Sequence, residues 1–162
     1  MNDAHLHLVL NHLPIILPLL GLLIMIGGLL FKSEIVKRTA YLVFILGAIM
    51  AIPAFATGEG AEEVIENLAG IDENYIKTHE EIAETFAILC YVLGGISLLG
   101  LWANFYKKSF ATGIVYVTIL LCFITLYFAK QTAASGGEIR HIEIRENFGS
   151  GTKKLESKED EV

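Results

Sequence analysis

Long apolar blocks separated by polar segments dominate the first four fifths of the chain. The blocks cover about residues 8–31, 39–56, 82–105 and 110–129. Each is close to or above the ~20 mostly apolar residues that a helix needs to cross the hydrocarbon core of a bilayer. A backbone in hydrocarbon must satisfy its own hydrogen bonds, so each block is predicted to be a helix. The pattern predicts an all-α, four-helix transmembrane bundle.

The polar segments carry patterns of their own. Between blocks two and three lie four glutamates spaced three, four and seven residues apart (Glu59, Glu62, Glu63 and Glu66). In a helix they would share one side, with apolar residues on the opposite side. This predicts a short amphipathic helix on the outer membrane surface. The pair Gly136–Gly137 is expected to end or bend the segment that follows the fourth block, with an extended segment beyond it. Residues 147–162 are predicted to be a disordered tail, which leaves residues 1–146 as the transmembrane domain.

Composition and charge narrow the class of protein. Hydrophobic residues make up 54% of the chain and charged residues 19%, against about 45–50% and about a quarter in soluble domains. A soluble globular enzyme is therefore excluded. The net charge of −6 argues against nucleic acid as a partner, because such proteins are basic. The first seven residues contain no Lys or Arg, so we expect the first block to be retained rather than removed as a signal peptide.

No catalytic motif identifies a reaction. The chain has no G-x-S-x-G, Walker loop or H-E-x-x-H. Cys90 and Cys122 lie within apolar blocks and form no C-x-x-C, so we expect them to act as small hydrophobic residues. Whether the protein is an enzyme is left open by the sequence.

Basic residues predict the orientation of the bundle. The short connections 32–38 and 106–109 are rich in Lys and Arg, whereas the long connection 57–81 is acidic. Short basic loops face the cytoplasm. We therefore expect a multi-pass protein of the bacterial inner membrane with both termini outside, and the lipid bilayer as its first partner.

Alternating helix direction places all five histidines on the outer side (His5, His7, His12, His79 and His141). Polar residues at the edge of an apolar span are costly to bury without partners, so Asn11 and His12 are functional candidates. In the alternative interpretation the first helix begins near Pro14 and its histidines are in water. At the third helix, Thr78 and Glu81 can form a capping box, which leaves His79 without a structural role.

Four short motifs resemble a family. They are H-x-H-x-x-x-N-H-x-P from His5, T-G-E-x-A-E-E-x-x-E from Thr57, H-E-x-x-A from His79, and G-G-x-I-R-H-x-E-I-R from Gly136. In this order they resemble uncharacterised bacterial four-helix membrane proteins, similar to the DUF2231-type membrane proteins. The resemblance implies a membrane fold with these residues on its outer face, and no reaction.

The leading hypothesis is a heme or metal site on the outer face, with a possible role in electron transfer. Imidazole is the commonest metal ligand, and mixed His and carboxylate ligands suit iron, copper or zinc. Heme b needs two histidines on different helices, for which His12 and His79 are the first choice and His7 and His141 come next. Asn11 and Arg140 are expected as further cofactor contacts. A non-heme site would draw on several of His7, His12, His79, His141, Glu59, Glu62 and Glu80.

Two other classes of function are open. One is a non-catalytic structural subunit of a larger, respiratory-type membrane complex, or a homo-oligomer, in which glycine-rich helix faces form the contacts. The other is a proton or solute carrier, which is disfavoured because the apolar blocks contain no charge along a path through the membrane.

Overall fold

The computed structural model describes residues 2–66 and 72–145, so the predicted tail lies outside the described residues. Within them the chain is helical and contains no strand. Four helical stretches are long and apolar enough to cross a membrane, as predicted. The helices are α1 Asp3–Leu10, α2 Leu13–Leu30, α3 Glu34–Ala56, α4 Gly58–Glu66, α5 Glu73–Phe105 and α6 Ala111–Arg140, followed by a short 3-10 turn, Ile142–Ile144.

The four long helices form a ring. Helix α2 packs on α3, α3 on α5, α5 on α6, and α6 closes back onto α2. The short turns after α2 and α5 lie at the same end of the bundle, because Arg38 near the start of α3 bonds to Asn104 near the end of α5. This end is here called the lysine end. At the opposite end, here called the histidine end, α1 packs on α4 and on the end of α3.

The outside of the bundle is as apolar as its core. Met25, Tyr41 and Cys122 are fully buried. Leucines on all four long helices are about half exposed or more (Leu23, Leu42, Leu98 and Leu120). An exterior of this kind is stable only against lipid, so the bilayer is the natural solvent of the bundle.

Both turns at the lysine end have the same backbone conformation. Lys32 and Lys107 have φ values of 50° and 49°, the left-handed conformation that glycine favours. In each turn the next amide reaches back five residues, from Ser33 to the Gly28 carbonyl and from Lys108 to the Ala103 carbonyl, at 2.9 Å in both. These bonds end α2 and α5 abruptly and direct lysines to the same end of the bundle.

The third span begins earlier than the apolar pattern suggests. Helix α5 starts at Glu73, where the Asp72 side chain accepts from the Asn74 amide at 2.9 Å. Thr78 is therefore not the cap: it lies inside the helix and its hydroxyl bonds to the Asn74 carbonyl. Hydropathy locates the part that suits lipid, whereas the helix continues through polar residues until a capping side chain ends it.

The fourth helix also runs past its predicted end. Helix α6 continues through Gly136 and Gly137 to Arg140, so the glycines do not end it. A Cβ at Gly136 would lie 3.0 Å from Cε1 of His79. The glycine therefore allows close approach of a side chain, and the expected extended segment after it is wrong up to Arg140.

The first span is two helices rather than one. Helix α1 ends at Leu10, Asn11 and His12 form a turn, and α2 begins at Leu13 with Pro14 in its first turn. Pro14 has no N–H for the Leu10 carbonyl, which favours a break at this point. The alternative with a start near Pro14 is thus correct for α2, but a separate helix precedes it and carries His7.

Candidate functional site

His7 is held by the end of α3. Its ring is half-buried, and Nδ1 lies 2.9 Å from the Ala54 carbonyl oxygen and 3.3 Å from the Thr57 hydroxyl. The last carbonyls of a helix lack helical N–H partners, and those of Pro53 and Ala54 also accept from the Thr57 hydroxyl. A carbonyl can only accept, so Nδ1 of His7 carries the proton.

His79 is held by the last turns of α6. Its Nδ1 lies 2.9 Å from the Ser135 hydroxyl, which itself donates to the Thr132 carbonyl at 3.2 Å. Because the serine proton is used in that bond, the hydroxyl accepts from Nδ1 of His79. Ser135 is 7% exposed and Gly136 lies against the imidazole, so the ring is clamped in one orientation.

His7 and His79 lie at the same end of the bundle. The two rings come from α1 and α5, and a charge on His7 would disfavour a charge on His79. In both rings the hydrogen bonds fix Nδ1 as the donor and leave the Nε2 lone pair available. Histidines that ligate metals have this arrangement, since a bond from the other ring nitrogen sets the tautomer and orients the ring.

Other predicted ligands are not gathered at this pair. His5, His12, His141 and Arg140 are exposed. His12 ends the turn before α2 and makes no capping bond. His141 bonds instead to Glu143 at 2.8 Å. The pKa of Glu143 is lowered by a backbone hydrogen bond at its own amide and then by this bond to His141.

The carboxylates form a neighbouring group between α4 and α5. Glu62 is half-buried and interacts electrostatically with Glu80 of α5, then with Glu66 and Glu59 of its own helix. Glu59 and Glu80 are exposed. Across residues 2–66 and 72–145, no three His, Cys, Asp or Glu side chains are arranged to hold a metal ion.

Asn11 lies one turn from His7, and its backbone amide bonds to the His7 carbonyl at 2.9 Å. Its side-chain oxygen is buried and has no hydrogen-bond partner in the described part of the chain. The bonds that orient the two imidazoles come from other residues. The residue offers an unused buried acceptor at the histidine end.

Several contacts at this end were absent from the sequence-based prediction. Thr57 and Ser135 fix the two imidazoles, and Arg145 stacks over the Tyr75 ring at 4.0 Å while donating to the Glu138 carbonyl. Thr57 is a polar residue at the end of an apolar block and begins one of the four motifs, but neither signal indicates its contact with His7. Nothing in the spacing of Ser135 or Arg145 indicates their partners.

Comparison of the chain with protein-family models, curated proteins and solved structures found no match. The resemblance to DUF2231-type membrane proteins thus stays an expectation from the four motifs.

Proposed function

We propose that this membrane protein binds a redox-active metal centre between His7 and His79, and that the centre is heme b. The observation that carries the proposal is the pairing of two imidazoles from different helices, each with Nδ1 committed to an oxygen acceptor. Their Nε2 atoms are the natural ligands. The proposed ligands are therefore His7 and His79. His7 takes the place of His12, the ligand first expected from the sequence, because His12 is exposed.

The number of ligands favours heme over a bare ion. A zinc, copper or non-heme iron site built by protein usually draws on three or four side chains. The described residues supply two histidines and no suitable third group. Heme brings four nitrogens of its own, so two imidazoles would be enough to hold it. His7 and His79 would hold the group, and it would supply electron transfer.

The proposed location is the inner membrane of a bacterium, with the histidine end outside. Five cationic residues lie in or beside the turns of the lysine end (Lys32, Lys37, Arg38, Lys107 and Lys108). The bias of Lys and Arg towards the cytoplasm supports this orientation. The heme would then lie near the outer surface, where a partner in electron transfer can approach.

The test is cofactor content after expression with added heme precursor and purification in detergent. We expect one heme per chain with a Soret band, lost in His7→Ala and in His79→Ala. His12→Ala and His141→Ala are the controls, because both rings are exposed, and they should keep the heme.

The other outcomes contradict the heme proposal in distinct ways. A transition metal without a Soret band, lost in the same two variants, would indicate a non-heme site that recruits Glu62 or Glu80. Absence of any cofactor together with co-purifying membrane proteins would favour the structural-subunit alternative. Equal heme content in all four variants would show that these histidines are not its ligands.

A further inference from the structure

The lysine end contains a cavity that is unrelated to the histidine pair. Its volume is about 310 Å³, and α3, the end of α5 and the start of α6 line it. The charged residues in its wall are four cations and one carboxylate, Glu34 (the cations are Lys37, Arg38, Lys107 and Lys108). The cavity therefore has three positive charges in excess.

The single carboxylate is already occupied. Glu34 accepts from Lys37 at 2.5 Å and from the side-chain amide of Asn104. Asn104 is 6% exposed, and its amide oxygen accepts from Nε of Arg38 at 2.5 Å. Within the described residues, Lys107 and Lys108 form no ion pair with a carboxylate. This network thus holds Arg38 in place and leaves the two lysines without an anion.

An apolar groove of about 520 Å³ adjoins this cavity on the outside of α5. Leu98, Trp102 and Phe105 line it, and all three are about half exposed. Two cation–π contacts join the groove to the cavity: Arg38 lies 4.2 Å from the Phe105 ring and Lys108 lies 5.2 Å from the Trp102 ring. The surface is therefore cationic at its head and apolar along the helix below.

We propose that this surface binds an anionic phospholipid, with the phosphate in the cavity and an acyl chain in the groove. Basic pockets between spanning helices recognise anionic headgroups. From Leu98 to Tyr106 the helix rises about 12 Å, enough to hold the upper part of an acyl chain. The site depends neither on the orientation of the bundle nor on the cofactor at the other end.

Trp102 allows a direct test, because it is the only tryptophan in the chain and lines the groove. The full chain is reconstituted in phosphatidylcholine vesicles that contain increasing fractions of phosphatidylglycerol with brominated acyl chains, which quench nearby tryptophan. We expect stronger quenching than with brominated phosphatidylcholine at the same fraction. The preference should fall as salt is raised, since ions screen the headgroup attraction.

The double variant Lys107→Gln/Lys108→Gln should have a lower relative affinity for the anionic lipid, by about fivefold for each lysine removed. Lys77→Gln is the matched control, because this lysine pairs with Glu73 outside the cavity and should leave the preference unchanged. Equal quenching by the two lipids, independent of salt, would overturn the proposal without the use of any variant. Saturable binding of inorganic phosphate at millimolar concentration, lost in the same lysine variants, together with equal quenching by the two lipids, would show that free phosphate, not lipid, is the ligand.

Discussion

At the scale of single residues, the histidine end depends on which ring nitrogen carries the proton. The Ala54 carbonyl and the Ser135 hydroxyl are both acceptors, and both meet Nδ1. The resulting tautomer is the one that leaves Nε2 for a metal. Neither acceptor is a charged side chain, so no acidic residue in the sequence indicates where the two imidazoles are held.

Ser135→Ala tests the positioning of His79. The variant removes the acceptor for Nδ1, which frees the ring to rotate, and loss of such a partner weakens metal binding by roughly 10–100-fold. The measurement is titration of the purified apoprotein with heme. Ser97→Ala is the control, because Ser97 is a buried serine of α5 whose hydroxyl has no described partner. Unchanged heme affinity in Ser135→Ala would contradict a positioning role.

Ser97→Ala is also a prediction about stability. The Ser97 hydroxyl is fully buried and has no hydrogen-bond partner among the described residues. A buried unsatisfied group costs about 1–3 kcal/mol, so its removal should leave the free energy of unfolding unchanged or higher. Thermal unfolding in detergent measures this. A marked loss of stability would reveal a partner for the hydroxyl.

At the scale of elements, caps decide where the helices end. Asp72→Ala should lower the free energy of unfolding by about 1 kcal/mol, because the cap of α5 is lost. Thr78→Ala should change it by about 0.5 kcal/mol or less, since Thr78 is an exposed interior residue of the helix. Denaturation of the two variants side by side is the measurement. The opposite ranking would mean that the helix begins at Thr78.

Adjacent glycines of α5 give a second test at this scale. A Cβ at Gly94 would collide with Cβ of Ala48 on α3, whereas a Cβ at Gly95 would meet nothing within 4 Å. Gly94→Ala should therefore destabilise the bundle by about 1–3 kcal/mol through overpacking. Gly95→Ala should leave stability unchanged or raise it, because alanine favours helix. Thermal unfolding distinguishes them, and equal effects would refute the close packing of α3 on α5.

At the scale of the whole molecule, the two ends have opposite chemistry. The histidine end carries acidic α4 and imidazoles, whereas the lysine end carries short cationic turns. Both native cysteines are buried, so a new exposed cysteine is the reactive one. This permits a test of orientation in intact cells.

Glu66→Cys and Ser109→Cys place thiols at the histidine end and at the lysine end. With a maleimide that does not cross membranes, we expect labelling of the Glu66→Cys variant in spheroplasts. Labelling of Ser109→Cys should require permeabilised membranes, because short basic turns face the cytoplasm. The reverse pattern would invert the proposed orientation, while the histidine pair and the lipid site would remain where they are.

The candidate site could be predicted only in part. The sequence indicates that histidines collect at one end of the bundle, because helix direction alternates and polar residues flank apolar blocks. It does not indicate that His7, rather than His12, is half-buried and held by hydrogen bonds. That choice depends on the break at Asn11 and on the packing of α1 against α4. The hydropathy pattern of the sequence indicates neither feature.

The sequence by itself determined the four helices and the lipid environment, because the length of an apolar run and the cost of unpaired backbone groups in hydrocarbon are local properties. Only the tertiary structure decided which side chains meet. Ser135 reaches His79, and Arg38 reaches Asn104, across 56 and 66 residues of sequence. Such contacts are set by how the helices rotate and slide against one another, which depends on all their packed side chains together.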